Sequence, residues 1–413
     1  MNWVRAYASN RTHLTRARLS VATIFALNGF LASLWIAHIP VITDRTGTSH
    51  EVLGGLLLLI GGSACVAMQL SGPLIDRIGS RPTTIGAASM LCVVMLGPIN
   101  ATSPTTLAMS LAAFGFANGA LDVSMNAQAV QVEQGYGRPI MSSFHGWFSA
   151  GGLVGSGVVA LGLWLGWAVQ VTVAVLCALG VVVVVTASRA LLGKRTVSTT
   201  DAAATGGSWW REVDLRRLFL LAALAFVLML AEGTAYDWSA LHIVETFGSA
   251  EAVGAIAFGC FSAAMMVARF GIDPIAHRVG AVAVVRGGAI VGMVGMGVAL
   301  APSSPGAASA ATAIVGWTIF GIGLAGLIPQ IFTAAGNLTP GASGRSISVV
   351  VGCGYLAMLA GPAVVGFITG LTSLRVGLTP VLAALLFSVL VAGVVGIPRS
   401  TSESRGGHDT LEG

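Results

Sequence analysis

The chain has 413 residues, of which 55% are hydrophobic and only 9% charged, and its mean hydropathy is +0.86. Those values lie far outside the soluble globular range and mark an integral membrane protein. The net charge of +5 would suit a nucleic-acid partner, but the positive charges follow topology instead, as the span assignment below makes plain.

One helical crossing of the hydrocarbon takes about 20 apolar residues, and roughly twelve such runs recur along the chain. They are predicted at 19–40, 52–75, 83–100, 106–131, 141–162, 166–188, 217–243, 251–272, 282–301, 309–336, 346–370 and 377–397. Runs such as LLLLIGG and VVVVV are apolar on every side, which excludes the alternating strands of a transmembrane barrel. The fold class expected is therefore all-α, with twelve transmembrane helices. The first run follows Arg5, Arg11, Arg16 and Arg18, is too long for a signal-peptide core and has no small-residue cleavage site behind it, so it is expected to persist as a span. With both termini cytoplasmic, only Arg45 and Arg375 fall on the outer side, as the positive-inside rule requires. Cys65, Cys92, Cys177, Cys260 and Cys353 each lie inside a predicted span without metal-type spacing and read as structural thiols. No metal or cofactor is expected.

Polar residues inside these spans are few, so each carries information. The first span holds Asn28, Ser33 and His38 but no acid. In the fourth, Asn118, Asp122 and Asn126 are spaced by four and form a polar stripe down one helix face, while Gln131 and Glu133 are expected to be wet near the cytoplasmic end. His145 opens the fifth span and could donate to a solute or relay protons; it could equally be a packing residue. Glu232 lies about 14 residues into the seventh span, some ~20 Å along the helix and so near mid-membrane. Asp237, Trp238 and His242 follow towards the outer surface. Trp35, Trp147 and Trp238 could stack on a sugar face or anchor at the interface. Arg269 can pair with a carboxylate or snorkel to the cytoplasmic edge. Pro329 removes a backbone hydrogen bond in the tenth span and is predicted to kink it near Gln330.

RALLGKRTVSTTDAAATGGSWWREVDLRR, between the sixth and seventh spans, is the one long polar segment, and the two sides of it match each other. LNGFLASLWIAHI aligns with AEGTAYDWSALHI, GPLIDRIG with DPIAHRVG, FGFANGAL with FGIGLAGL, and Gly137-Arg138 with Gly344-Arg345, all in the same order at a nearly constant offset. The organisation expected is a cytoplasmic tail at 1–18, a six-helix bundle at 19–188, a cytoplasmic linker at 189–216, a second bundle at 217–397 and a cytoplasmic tail at 398–413. Duplicated bundles of this kind place a solute site at the midplane between them.

The segment GPLIDRIGSRP, residues 72–82, resembles the G-x-L-x-D-R-x-G-x-R signature of the major facilitator superfamily, and a weaker echo follows the eighth span with His277 in place of the aspartate. That resemblance implies the major facilitator fold and a conformational latch involving Gly72, Asp76, Arg77, Gly79, Arg81 and Arg278. LDVSMN followed by GRPIMSSFHGWFSAGGLVG resembles the fucose-permease-like branch of bacterial inner-membrane carriers, in which an acid is followed by an asparagine four residues on, as in Asp122 and Asn126. The chain departs from that branch in its first span, which has no second carboxylate.

The function expected is secondary active transport of a small polar solute such as a sugar by alternating access, coupled to protons through Asp122 and Glu232. Asn28, Asn118, Asn126, His145, Asp237, Trp238, His242 and Gln330 are the candidate solute-binding residues. The expected partners are that solute, protons and the bilayer of a bacterial plasma membrane, with the chain acting as a monomer and without nucleic acid. The rival reading is a proton-driven drug or metabolite exporter; a membrane-embedded enzyme using Asp122 and His145, or a non-transporting sensor, stands behind it. HExxH and G-x-S-x-G motifs are absent, and no glycine-rich run is followed by the lysine and hydroxyl of a phosphate loop.

Overall fold

A computed structural model describes residues 2–193, 213–302, 304–339 and 343–396. Most of the expected linker and the expected C-terminal tail lie outside them. Among the described residues there is no strand, and twelve helices are long and apolar enough to cross a membrane. These are α1 (Thr12–Thr46), α2 (Val52–Ile78), α3 (Ser80–Asn100), α4 (Pro104–Tyr136), α5 (Met141–Trp164), α6 (Val169–Ser188), α7 (Leu215–Phe247), α8 (Glu251–Val279), α9 (Ala281–Leu300), α10 (Ala307–Gly336), α11 (Ser343–Leu371) and α12 (Leu374–Val395). Hydrocarbon offers no partner to a backbone N–H or C=O, so the chain satisfies these groups within helices.

Helix ends carry the local signals that the turns require. Ser103 and Thr106 form a reciprocal capping box at the start of α4, and Asp214 accepts from Arg217 N–H at 3.0 Å to cap α7. Gly137 and Gly248 close α4 and α7 in the left-handed conformation, with φ of 64° and 65°. Inside α10 the helix breaks at Ala325 and Gly326 rather than at Gln330. The reason is local: Pro329 has no N–H for the carbonyl four residues earlier, which is that of Ala325. Pro98 likewise has no N–H for the carbonyl of Val94, the residue just before the interruption of α3 at Met95.

Two six-helix halves are built alike. In the first, α1 packs along α5 and α2 along α4; in the second, α7 packs along α11 and α8 along α10. Phe25 and Phe144 stack at 5.6 Å between α1 and α5, and Phe261 and Phe320 stack at 5.9 Å between α8 and α10. The halves meet along two seams, α2 against α11 and α5 against α8. Arg45 and Arg375 also play matching parts. Arg45 donates to the carbonyls of Ala101 and Pro98 at the end of α3, and Arg375 donates to that of Ala301 at the end of α9. Each cation thus satisfies carbonyls left open at a helix C-terminus, so both are structural groups.

Candidate functional site

The polar stripe of α4 sits at the centre of the molecule. Asp122 is 7% exposed and Asn126 fully buried, and the Asn126 amide donates to the Asp122 backbone carbonyl at 2.9 Å and to its Oδ1 at 3.4 Å. Asn28, from α1, comes alongside by donating to Met125 Sδ at 3.7 Å. From the other half, the Tyr355 hydroxyl of α11 faces the Asp122 carboxyl and lies within electrostatic reach of Glu232. Tyr355 is therefore a neighbour that an acid of each half shares.

Glu232 is already engaged. Its Oε1 lies 3.0 Å from Arg269 Nη2, both side chains being largely buried, and Tyr236 Oη donates to the same oxygen at 3.5 Å. Arg269 also donates through Nη1 to Ser149 Oγ of α5 at 2.8 Å, which carries the pair across the second seam. Of the two alternatives for Arg269, the structure selects pairing with a carboxylate. His145 lies close by, its ring against Phe25 of α1 and Phe332 of α10 at 5.3 and 5.8 Å.

Several buried polar atoms of the candidate residues have no partner among the described residues: Asn28 Oδ1, Asn118 Oδ1, Asp122 Oδ2, Asn126 Oδ1, His145 Nε2 and Gln330 Nε2. An unsatisfied polar atom away from water costs on the order of 1–3 kcal/mol. Five of them, from α1, α4 and α5, suit a place built to exchange hydrogen bonds with water or a polar solute. The remaining candidates lie elsewhere. His242 is fully buried, accepts from Trp317 Nε1 at 3.3 Å and packs on Phe247, inside the second half. Asp237 is exposed, and Trp238 packs against Gly366 of α11.

One end of the molecule is closed by carboxylates placed on helix N-termini. Asp76, in the signature loop, accepts from Gly344 N–H at 3.0 Å at the start of α11, with Arg345 Nε 3.6 Å from its other oxygen. Asp273 accepts from Ser142 and Ser143 N–H at 2.9 and 2.8 Å at the start of α5. Glu133 accepts from Ile140 and Met141 N–H at 2.7 and 2.8 Å and from Thr333 Oγ1 of α10 at 2.7 Å. The first four donors of α5, which have no intrahelical acceptor, are thus taken up by carboxylates from α4 and α8. Glu133 is not wet as expected but buried beneath α10. In the second half the carboxylate that acts is Asp273, one turn before His277, because a displacement of four residues stays on the same helix face. Gln69 and Gln134 add bonds from the first half to Ser348 and Asn337 of the second.

Gly72 allows the first seam to close. A Cβ there would run into the Ser348 side chain and the Gly344 carbonyl. Gly79 turns the chain from α2 to α3 at φ 95°, and Gly280 does the same after α8 at φ 84°. Of the three expected latch cations, Arg77 lies in the last turn of α2, Arg81 in the first turn of α3, and Arg278 borders a surface cavity together with His277. Gly72→Val is expected to push α2 from α11 at a cost of roughly 1–3 kcal/mol. Spin labels at Ile78 and Val279, exposed last residues of α2 and α8, should then report a longer distance; an unchanged distribution would refute the role of Gly72.

Arg269, Tyr355, Ser149, Glu133 and Asp273 are site or gate residues that the sequence alone did not place there. Arg269 and Asp273 sit near a span end, where an ionised group is ordinary. Tyr355 sits within the glycine-rich run GCGYLAMLAGP, where only its position on a packed helix shows its neighbours.

The Major Facilitator Superfamily family model matches residues 19–316. An uncharacterised MFS-type transporter of Yersinia pestis is 32% identical over 382 residues, covering 92% of this chain and 96% of that protein. Membrane protein MosC of Rhizobium meliloti is 28% identical over 379 residues, covering 91% of this chain and 88% of that one. Among solved structures, the E. coli fucose:proton symporter FucP superposes with a TM-score of 0.73 at 12% identity, covering 92% of this chain and 98% of that one. With its twelve helices in two like halves, its signature loop docked on α11 and a family match over most of its length, this chain is a membrane transporter, not an enzyme, and belongs to the major facilitator superfamily.

Proposed function

We propose that the protein carries a small polar solute together with protons, by alternating access, across a bacterial inner membrane, with the signature loop and both termini on the cytoplasmic side. The observation that carries this reading is the state of the two acids: Glu232 is matched by Arg269, whereas Asp122 is buried with one oxygen unpartnered among the described residues and a neutral hydroxyl facing it. A carboxylate held away from water without a counter-ion is costly and reads as functional. Asp122 is the proton carrier in this proposal, and the Glu232–Arg269 pair is a charge-matched strut between the halves.

The solute site is the ring of amides around Asp122, from Asn28, Asn118, Asn126 and Gln330, with His145 beside it. Such groups suit a solute rich in hydroxyls, and the fucose:proton symport named for FucP supports a sugar-like class. The distribution of lysine and arginine supports the orientation. In proteoliposomes without a membrane potential, adding the right solute from a panel of sugars and polyols should drive protons across with it, read by a trapped pH dye. Solute flux with no accompanying pH change would rule out proton coupling.

A further inference from the structure

At the closed end, beside the α5–α8 seam, lies a surface cavity of about 500 Å³. It falls within the size range of small-ligand sites. Its rim carries three arginines, Arg18 and Arg138 from the first half and Arg278 from the second, with His277 beside the last. The first two are held in place by one ring, their guanidinium carbons lying 5.6 and 5.9 Å from the Tyr136 centroid. Among the described residues the only carboxylate lining the cavity is Asp273, and both of its oxygens already accept the N–H groups of α5. Three guanidinium groups therefore surround a space whose one negative charge is occupied.

The other side of the cavity is apolar and faces outward from membrane-spanning helices. Trp147 of α5 and Phe270 of α8 meet edge to face at 5.6 Å and are 47% and 40% exposed. At the usual helical rise Trp147 lies about 9 Å and Phe270 about 14 Å inside their helix ends, where headgroup gives way to hydrocarbon. A cationic rim at headgroup level above an aromatic shelf at acyl level is complementary to one kind of molecule.

We propose that this cavity binds the phosphate headgroup of an anionic phospholipid from the adjoining leaflet, with its acyl chains lying over Trp147 and Phe270. Because the rim draws on both halves, the lipid bridges them only when this end is closed, and it stabilises that state. A soluble phosphate would meet the same guanidinium groups but would leave the aromatic shelf uncovered.

The test is native mass spectrometry of the full chain released from nanodiscs of equimolar phosphatidylglycerol and phosphatidylcholine. The wild-type protein should retain phosphatidylglycerol in preference; equal retention of the two lipids overturns the proposal without any variant being needed. Arg138→Gln/Arg278→Gln removes two cations, each worth about fivefold at an anionic surface, so retention should fall roughly 25-fold. Unchanged retention in that variant also overturns it. Trp147→Ala/Phe270→Ala should weaken lipid retention as well. If millimolar glycerol phosphate raises the melting temperature of delipidated protein as much as phosphatidylglycerol does, the site belongs to a soluble phosphate and the lipid proposal fails.

Discussion

Asp122→Asn is expected to reduce solute-driven proton uptake in proteoliposomes to the level of protein-free vesicles, while exchange of solute at equal concentrations on the two sides continues. The substitution keeps the shape of the side chain and its contact with Asn126, and removes only the ability to gain and lose a proton. The wild-type carboxyl has the Asn126 amide at 3.4 Å from Oδ1, the Tyr355 hydroxyl facing it and no cation paired with it among the described residues. A group in those surroundings holds its charge where water reaches it and sheds it by protonation where water does not. An asparagine mimics the protonated form permanently, so movement between states survives and coupling does not. Retention of coupled uptake by the Asp122→Asn variant would move the carrier role elsewhere, with Glu232 next in line.

Arg269→Gln should be the most damaging single change to stability among the polar residues of the spans. It leaves Glu232, whose side chain is 14% exposed, facing Tyr236 alone and breaks the bond to Ser149 across the seam. Removing one partner of a buried ion pair costs about 3–5 kcal/mol, much of it from the charge left behind. A fall in melting temperature on the order of 5 °C or more is expected in detergent. Adding Glu232→Gln to the same protein should restore most of the loss, because no buried charge then remains. If the double variant is as stable as wild type and still takes up protons with solute, the pair is a strut. If Glu232→Gln alone stops proton uptake in a protein that melts normally, Glu232 shares the carrier role with Asp122.

Much of this architecture is legible in the amino-acid order. Twelve apolar runs are enough to count the spans, because hydrocarbon leaves a helix as the only structure that satisfies its own backbone. Spacing by four placed Asn118, Asp122 and Asn126 on one face, and the structure turns Asp122 of that face towards α11, with α1 alongside. The signature loop identified Asp76, and the structure seats it on Gly344. Duplication was visible as well, down to Gly79 and Gly280, whose positive φ angles repeat.

What the letters could not convey is which distant residues become neighbours. His242 and Gln330 look alike as polar residues in apolar runs, yet one is bonded to Trp317 within its own half and the other is buried with its amide nitrogen unpartnered among the described residues. Asp273 and Glu133 look like ordinary charges at span ends, yet together they hold the four open donors of α5. Glu232 and Arg269, 37 positions apart, form one ion pair.

By itself the sequence determined the class, the number of crossings, the duplication and the presence of an acid at depth, since each depends on local periodicity or on a cost that any bilayer imposes. Only the tertiary structure decided which acid is matched by a cation, which carboxylates close the gate and which polar groups face one another. The reason is physical: pairing across a seam depends on the rotation and offset of whole helices, and those are set by the packing of small residues over the full interface rather than by any short stretch of chain.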